Sequence, residues 1–248
     1  STSDYQGLFG YIGSGGTVAN LGVSGEVSGS RNVGGVAGMN WGTIENCYNT
    51  GKITGNTNIG GVAGYNDGTI KNCYNTGEIT GSRDVGGVAG YINMKSATIK
   101  NCYNTGDVTG AAYVGGVAGY NRYGTIENCY YLENTANGGI NGKDTGGAAV
   151  KSAEAFAGGE VCWLLNGSTS IGELVWYQNI DNGETPDESP KFTGGIVYMN
   201  ADGGYTNTPQ IEFNSDVPVI ISIVSGEKVE IALSDYCLLY TSPSPRDS

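Results

Sequence analysis

VGGVAGMNWGTIENCYNTG, residues 33–51, returns as IGGVAGYNDGTIKNCYNTG at 59–77 and as VGGVAGYINMKSATIKNCYNTG at 85–106. A fourth copy, VGGVAGYNRYGTIENCYY at 114–131, loses its final turn. The copies start 26, 26 and 29 residues apart. A unit this short cannot bury its apolar face alone, so self-similarity at this period predicts a stacked array. A weaker copy precedes the four: Gly7-Leu8-Phe9-Gly10-Tyr11 aligns with Gly35-Val36-Ala37-Gly38-Met39, and Thr17-Val18-Ala19-Asn20-Leu21 with Thr43-Ile44-Glu45-Asn46-Cys47.

Composition agrees with a β array. The repeats are rich in Val, Ile, Thr and Tyr, which suit pleated, half-buried strands, and no helical periodicity runs through the first 130 residues. Each copy holds three short apolar segments, for example Val33 to Met39, Thr43 to Tyr48 and Lys52 to Thr54. We therefore expect a mainly β protein: a β-solenoid, parallel β-helix-like, of about five coils with about three strands each. At a strand spacing of about 4.8 Å, five coils span roughly 24 Å.

Within TI-x-NC the Ile and the Cys stand three apart, so strict alternation would send them to opposite faces. Both places are apolar in every copy, which predicts a bend at the intervening Asn, a residue that tolerates left-handed backbone geometry. Asn20, Asn46, Asn72, Asn101 and Asn128 hold that place, and stacked amides can hydrogen-bond along an array. The x position (Ala19, Glu45, Lys71, Lys100, Glu127) and a second column (Glu26, Lys52, Glu78, Asp107) read as outward, mostly with alternating sign.

Two further columns are candidate sites. Cys47, Cys73, Cys102 and Cys129 come one per copy, without a CxxC pair, and Leu21 takes the same place in the first copy. Four thiols can ligate zinc or bridge, yet a leucine equivalent points to a buried apolar position where Cys acts as a small hydrophobe. The tyrosines make two columns: Tyr48, Tyr74, Tyr103, Tyr130, and Tyr11, Tyr65, Tyr91, Tyr120. If exposed, they can contact a sugar or a protein; otherwise they stack as strand-stabilising pairs.

The sequence holds no histidine, so it offers no Ser-His-Asp or Cys-His pair and no histidine zinc motif. Its Gly-x-Gly patterns belong to the repeat and precede no helix, which removes a dinucleotide fingerprint. Asp67, Asp84 and Asp107 fall at unequal repeat positions, unlike calcium-binding nonapeptides. With a net charge of −12, twelve scattered cations make no phosphate-binding surface, so nucleic acid is not expected. The longest apolar run, Val217 to Val224, falls far short of the ~20 residues of a membrane helix. Catalytic, cofactor and metal residues are all expected to be none.

Beyond Glu133 the pattern changes. A Gly/Asn-rich stretch to Gly147 ends the array. Ser152 reads as the N-cap of a short helix, and Glu160 to Asn166 as a second, with Trp163, Leu164 and Leu165 inward. We expect residues 134–208 to form a small α+β segment covering the open strand edges of the 1–133 solenoid. Residues 209–236 alternate apolar and polar (Ile211, Phe213; Val229, Ile231, Leu233) like the start of a further, truncated β domain. The chain lacks an initiating Met and opens inside a repeat-like stretch, which reads as an internal piece of a longer protein. CLLYTSPSPRD at 237–247 resembles the translation of a transposase adapter used in sequencing libraries, so 237–248 are set aside from fold reasoning.

The phrase VGGVAGYN…GTIxNCYNTGxITG, over residues 7 to about 132, resembles the GLUG-motif repeat of bacterial surface proteins. AEAFAGGEVCWLLN…VWYQNIDNGETPDESPKF resembles the segment that follows such repeats in large secreted proteins of gut Firmicutes. The resemblance implies export to the cell wall or surface, with roles in adhesion or display. Such repeats also accompany IgA-specific metallopeptidases, whose zinc motif is missing from this sequence. Three functions follow from it: a non-catalytic stalk or adhesin scaffold, a module binding host glycan or extracellular protein through the Tyr columns, and an accessory region of a surface hydrolase.

Overall fold

The computed structural model describes residues 3–144, 146–168, 175–178 and 187–192, with two-residue strands at 198–199 and 205–206. The expected β domain at 209–236 and the adapter-like 237–248 lie outside the described residues. Five coils stack as a β-solenoid, and every strand pairing between them is parallel.

Each full coil has five strands rather than three. In the second coil they are Arg31–Gly34, Ala37–Asn40, Thr43–Glu45, Tyr48–Asn49 and Lys52–Thr54. The three apolar segments are present, but two of them turn a corner. Val33 to Met39 breaks at Gly35-Val36, and Thr43 to Tyr48 breaks at Asn46, whose φ is 52°. The glycine corner is set by space. A Cβ at Gly61, the next coil's equivalent of Gly35, would strike the carbonyl oxygen of Gly87 and the side chain of Asn75. Coils pack backbone to backbone there, which accounts for much of the glycine excess.

Like stacks on like. Val33, Ile59, Val85 and Val114 are register partners in one sheet, and Ile44, Ile70, Ile99 and Ile126 in another. Two apolar columns fill the interior. One gathers the Val36, Ala37, Ile44 and Cys47 positions of successive coils, and the other the Val33 and Ile53 positions. The third interval is longer because residues 93–97 stand where the preceding coil has only Asp67-Gly68. Asp67 receives the longer turn: its Oδ1 accepts from the backbone N–H of Asn93 (3.3 Å) and Met94 (2.9 Å).

The open strand edge after the fifth coil is covered by the Gly/Asn-rich stretch itself. Val117 N–H donates to Gly139 O (2.9 Å) and Cys129 N–H to Gly147 O (3.0 Å). Ala148–Lys151 adds a parallel strand beside Cys129–Leu132. The helices, α1 (Ala153–Ala157) and α2 (Glu160–Leu165), lie on the flank instead of across that edge. Their Phe156, Val161, Cys162 and Leu165, together with Trp176, pack against Tyr48, Tyr74, Tyr103 and Tyr130. Ser152 caps α1, accepting from Ala155 N–H (3.2 Å). In α2, Val161 and Leu165 form the buried face four residues apart, which leaves Trp163 half exposed; Trp176 supplies the buried indole. No helix among the described residues is long and apolar enough to cross a membrane.

Polar side chains inside the coil are hydrogen-bonded from one coil to the next. Asn49 Nδ2 donates to Asn75 Oδ1, and Asn75 Nδ2 to Asn104 Oδ1, both at 2.7 Å, with all three residues fully buried. Each also closes its own NTG turn, as when Asn75 Nδ2 donates to Gly77 O (2.8 Å). Asn75→Ala removes one of the two partners of Asn49 Nδ2 and of Asn104 Oδ1, leaving each with only its own turn, to Gly51 O and Gly106 N–H. We expect it to lower unfolding stability by about 3 kcal/mol. Lys52→Ala, on the exposed surface, should stay within about 0.5 kcal/mol. Urea unfolding of the two variants followed by circular dichroism checks the contrast.

Candidate functional site

The two tyrosine columns have different surroundings. Tyr48, Tyr74 and Tyr103 stack with ring centroids 4.9 and 5.0 Å apart and planes within 8° and 0°. All three are buried, Trp176 packs against Tyr74 and Tyr103 and Phe156 against Tyr103, and the Tyr103 hydroxyl donates to Pro190 O (2.5 Å). Burial pushes the Tyr103 phenol well above its ordinary pKa. This corrects the expectation that Tyr48, Tyr74 and Tyr103 can contact a ligand: the rings cover one another's faces, and Phe156, Val161, Leu165 and Trp176, from the 134–208 segment read as a cover, pack against the column. Tyr130 is buried at the same flank, and its hydroxyl donates to Asn128 Oδ1 (2.6 Å).

The second column stands outside. Tyr65, Tyr91 and Tyr120 are half-buried on the strands Ala63–Asn66, Ala89–Ile92 and Ala118–Asn121, with Met39 and the exposed Tyr11 below them. Their centroids are 5.3 and 5.6 Å apart. Partial burial, with Asp67 close by, pushes the Tyr65 phenol up to about 12. Tyr113 meets Tyr120 edge-on at 5.1 Å, and the Arg83 guanidinium lies 4.9 Å over the Tyr113 ring. Across the column, Arg122 lies 4.9 Å over Tyr123. Sequence reasoning missed Arg83, Tyr113, Arg122 and Tyr123. Tyr113, Arg122 and Tyr123 do not recur between copies, and Arg83 recurs only as Arg31, so the repeat pattern carried little signal for them.

The thiols are interior. Cys47, Cys73, Cys102 and Cys129 are fully buried and unbridged. Each Sγ lies 3.1–3.2 Å from the carbonyl oxygen two residues earlier: Glu45, Lys71, Lys100 and Glu127. Burial pushes the Cys102 thiol well up, so the neutral S–H is the species at neutral pH. Among the described residues no three Cys, Asp or Glu side chains converge as a metal site would require.

The Asn column that turns the chain is also a chain of amides. Asn46 donates to Asn20 (3.0 Å), Asn72 to Asn46 (3.2 Å), Asn101 to Asn72 (3.2 Å) and Asn128 to Asn101 (2.9 Å). All five have φ between 50° and 56°. Other amide pairs went unread in the sequence, although Asn recurs there too: Asn40 with Asn66 (2.7 Å), the Asn49–Asn75–Asn104 column, and Asn58 with Asn32 (2.7 Å). Outside, Lys71 pairs with Glu45 (2.7 Å), Lys52 with Glu78 (3.0 Å) and Lys100 with Glu127 (3.3 Å). Lys52 holds the exposed Glu78 carboxyl below its usual range.

One rung breaks its series. Asn32, Asn58 and Asp84 share a register position, flanked by Arg31–Thr57–Arg83 and Val33–Ile59–Val85, and all take left-handed φ of 54–59°. Asp84 puts a carboxylate where an amide would donate. Its Oδ1 is buried without a hydrogen-bond partner, while Oδ2 meets Arg83 Nε at 3.4 Å. Burial raises its pKa, against the opposing pull of Arg83.

Among protein families, the GLUG motif matches residues 29–54, 55–80, 81–109 and 110–130. No curated protein matches the chain. Among solved structures, the chain is similar to a proposed immunoglobulin A1 protease from Bacteroides ovatus, at 26% identity and a TM-score of 0.52. The likeness covers 77% of this chain and 64% of that one, so the chain spans less than two thirds of that protein's length.

Asp84→Asn supplies the missing donor and removes the buried charge. We expect it to stabilise the protein at pH 7 by about 1 kcal/mol. Because the folded carboxyl titrates above its unfolded value, the wild type carries its penalty above the raised pKa. It sheds that penalty as pH falls through the raised pKa toward the ordinary carboxylate value. The advantage of the variant should therefore shrink on acidification, as read from urea midpoints at pH 7 and pH 4.

Proposed function

We propose that this chain, a GLUG-repeat protein over residues 29–130, is a non-catalytic extracellular scaffold, the stalk or adhesin region of a bacterial surface protein. The observation that carries this reading is the unbroken in-register stack. Four successive interfaces repeat the same strand pairings, and the recurring interior residues are spent on holding coil to coil. Valines, isoleucines and thiols fill the inside, amides tie one coil to the next, and outward charges pair across coils. A chain so used supplies a length of stiff backbone on which sparse outward residues can be displayed. With no histidine, it lacks the commonest general base for peptide hydrolysis.

The likeness to the Bacteroides ovatus protein favours a second, compatible reading, in which such a scaffold accompanies a peptidase and sets where it works. On either reading the chain itself cleaves nothing. Purified chain incubated with immunoglobulin A1 should leave the heavy chain intact on a denaturing gel, and a general peptide library should show no new termini. Reproducible cleavage that follows the chain through purification would end the non-catalytic reading. Stretching single molecules by atomic force microscopy should release the solenoid in increments of about one coil, as expected when each repeat contacts only its neighbours.

A further inference from the structure

Tyr65, Tyr91 and Tyr120 stand one above another with planes within 29° and 16°. Rings stacked this way cover one another's faces, so the column offers solvent a row of ring edges and hydroxyls. The face-to-face packing of a neutral sugar on an aromatic ring is therefore blocked along most of its length. What flanks the row is cationic. On one side Arg83 lies over Tyr113, which abuts Tyr120. Arg31 holds the Arg83 position two coils earlier. On the other side Arg122 lies over Tyr123, donates to Asn93 Oδ1 (3.4 Å), and interacts with the Tyr123 and Tyr91 phenols. Lys95 stands in the exposed turn that follows Tyr91.

This concentration of cations is unusual for a chain of net charge −12. Lys52, Lys71 and Lys100 are engaged with Glu78, Glu45 and Glu127. Arg122 and Lys95 have no ion-pair partner among the described residues. The acidic residues near the row are already committed. Asp67 is buried with its Oδ1 on two backbone N–H groups and its carboxylate beside the Tyr65 phenol, and Asp84 pairs with Arg83 Nε, so Arg122 and Lys95 are the cations left to meet an anion.

We propose that this face binds an anionic polysaccharide, a polymer of carboxylated or sulfated sugars laid along the solenoid axis. Guanidinium N–H groups and phenol hydroxyls are the donors that carboxylate and sulfate oxygens accept from. One tyrosine per coil sets a hydroxyl at each step of about 4.8 Å along the axis, the length scale of a single sugar ring. An acidic peptide advances about 3.3 Å per residue when extended and falls out of register with such a row. A nucleic acid would need a denser line of cations than the face provides.

The test uses the whole chain against immobilised heparin and polygalacturonate, with dextran as the neutral polymer and polyglutamate as the acidic peptide, at low and physiological salt. We expect binding to at least one anionic polysaccharide that weakens with salt, and none to dextran. Arg122→Ala should weaken it by roughly fivefold, and Tyr91→Phe measurably. Lys52→Ala, another exposed cation, should leave it unchanged, with equal unfolding midpoints for all variants. No binding at low salt would overturn the proposal, as would equal losses from Arg122→Ala and Lys52→Ala, or equal capture by dextran. Polyglutamate binding as tightly, with the same dependence on Arg122, would replace the glycan with an acidic peptide. The scaffold reading stands or falls separately: it survives a failure here, and cleavage of immunoglobulin A1 would remove it with the binding result untouched.

Discussion

Parallel strands of two to four residues have almost no independent hold on their register. A slip of one residue would turn each interior side chain outward, and strands this short make too few backbone hydrogen bonds to forbid it. The buried amide columns supply the missing constraint. Asn75 accepts from Asn49 below and donates to Asn104 above, both at 2.7 Å, and its remaining donor closes the NTG turn of its own coil. A slipped coil would bury unpaired amide groups at about 1–3 kcal/mol each, on top of exposing its apolar column. The apolar contacts make stacking favourable, while the amides select one stacked arrangement.

The same constraint explains what the coils tolerate. The third interval carries three extra residues without disturbing the pairing of Ile70 with Ile99 or Tyr74 with Tyr103. The insertion falls where the Asn40–Asn66 amide column stops, Ile92 taking the next place, and Asp67 receives its N–H groups. At the corners no such latitude exists. Backbone meets backbone at Gly61 and Gly87, and a side chain there has nowhere to go. Variation in length is thus confined to the turns, where Trp41, Met94 and Tyr123 stand exposed.

Much of this was legible before any coordinates. Recurrence announced the stack, and the odd spacing of Ile and Cys in TI-x-NC announced a bend at Asn. Burial was harder to read. The two tyrosine columns look alike in sequence, since each repeats once per coil. Which one is covered depends on where Phe156, Leu165 and Trp176 pack, and nothing within the repeat encodes that. Strand number was misjudged for a related reason: a corner made by two glycines leaves the apolar pattern on either side continuous, so one segment in sequence became two strands. Within the 134–208 segment expected as a cover, the part that meets the strand edge, Gly138 to Gly147, lacks an apolar pattern. It caps the array through backbone hydrogen bonds, which side-chain periodicity does not reveal.

A solenoid coil has several outward faces, and here they have diverged in use. One holds the Tyr48–Tyr74–Tyr103 stack and is sealed by Phe156, Leu165 and Trp176. Another carries paired lysines and glutamates that neutralise one another across coils. The face of Tyr65, Tyr91 and Tyr120 is unsealed, Arg122 beside it has no ion-pair partner among the described residues, and Tyr113, Arg122 and Tyr123, which give it character, are residues the repeat does not dictate. Stacking requires likeness only at interior and corner positions. Outward positions are free to differ from coil to coil at little cost in stability. A binding face on such a scaffold is therefore to be sought where the repeat is broken by single residues. On this chain those departures fall on the fourth and fifth coils.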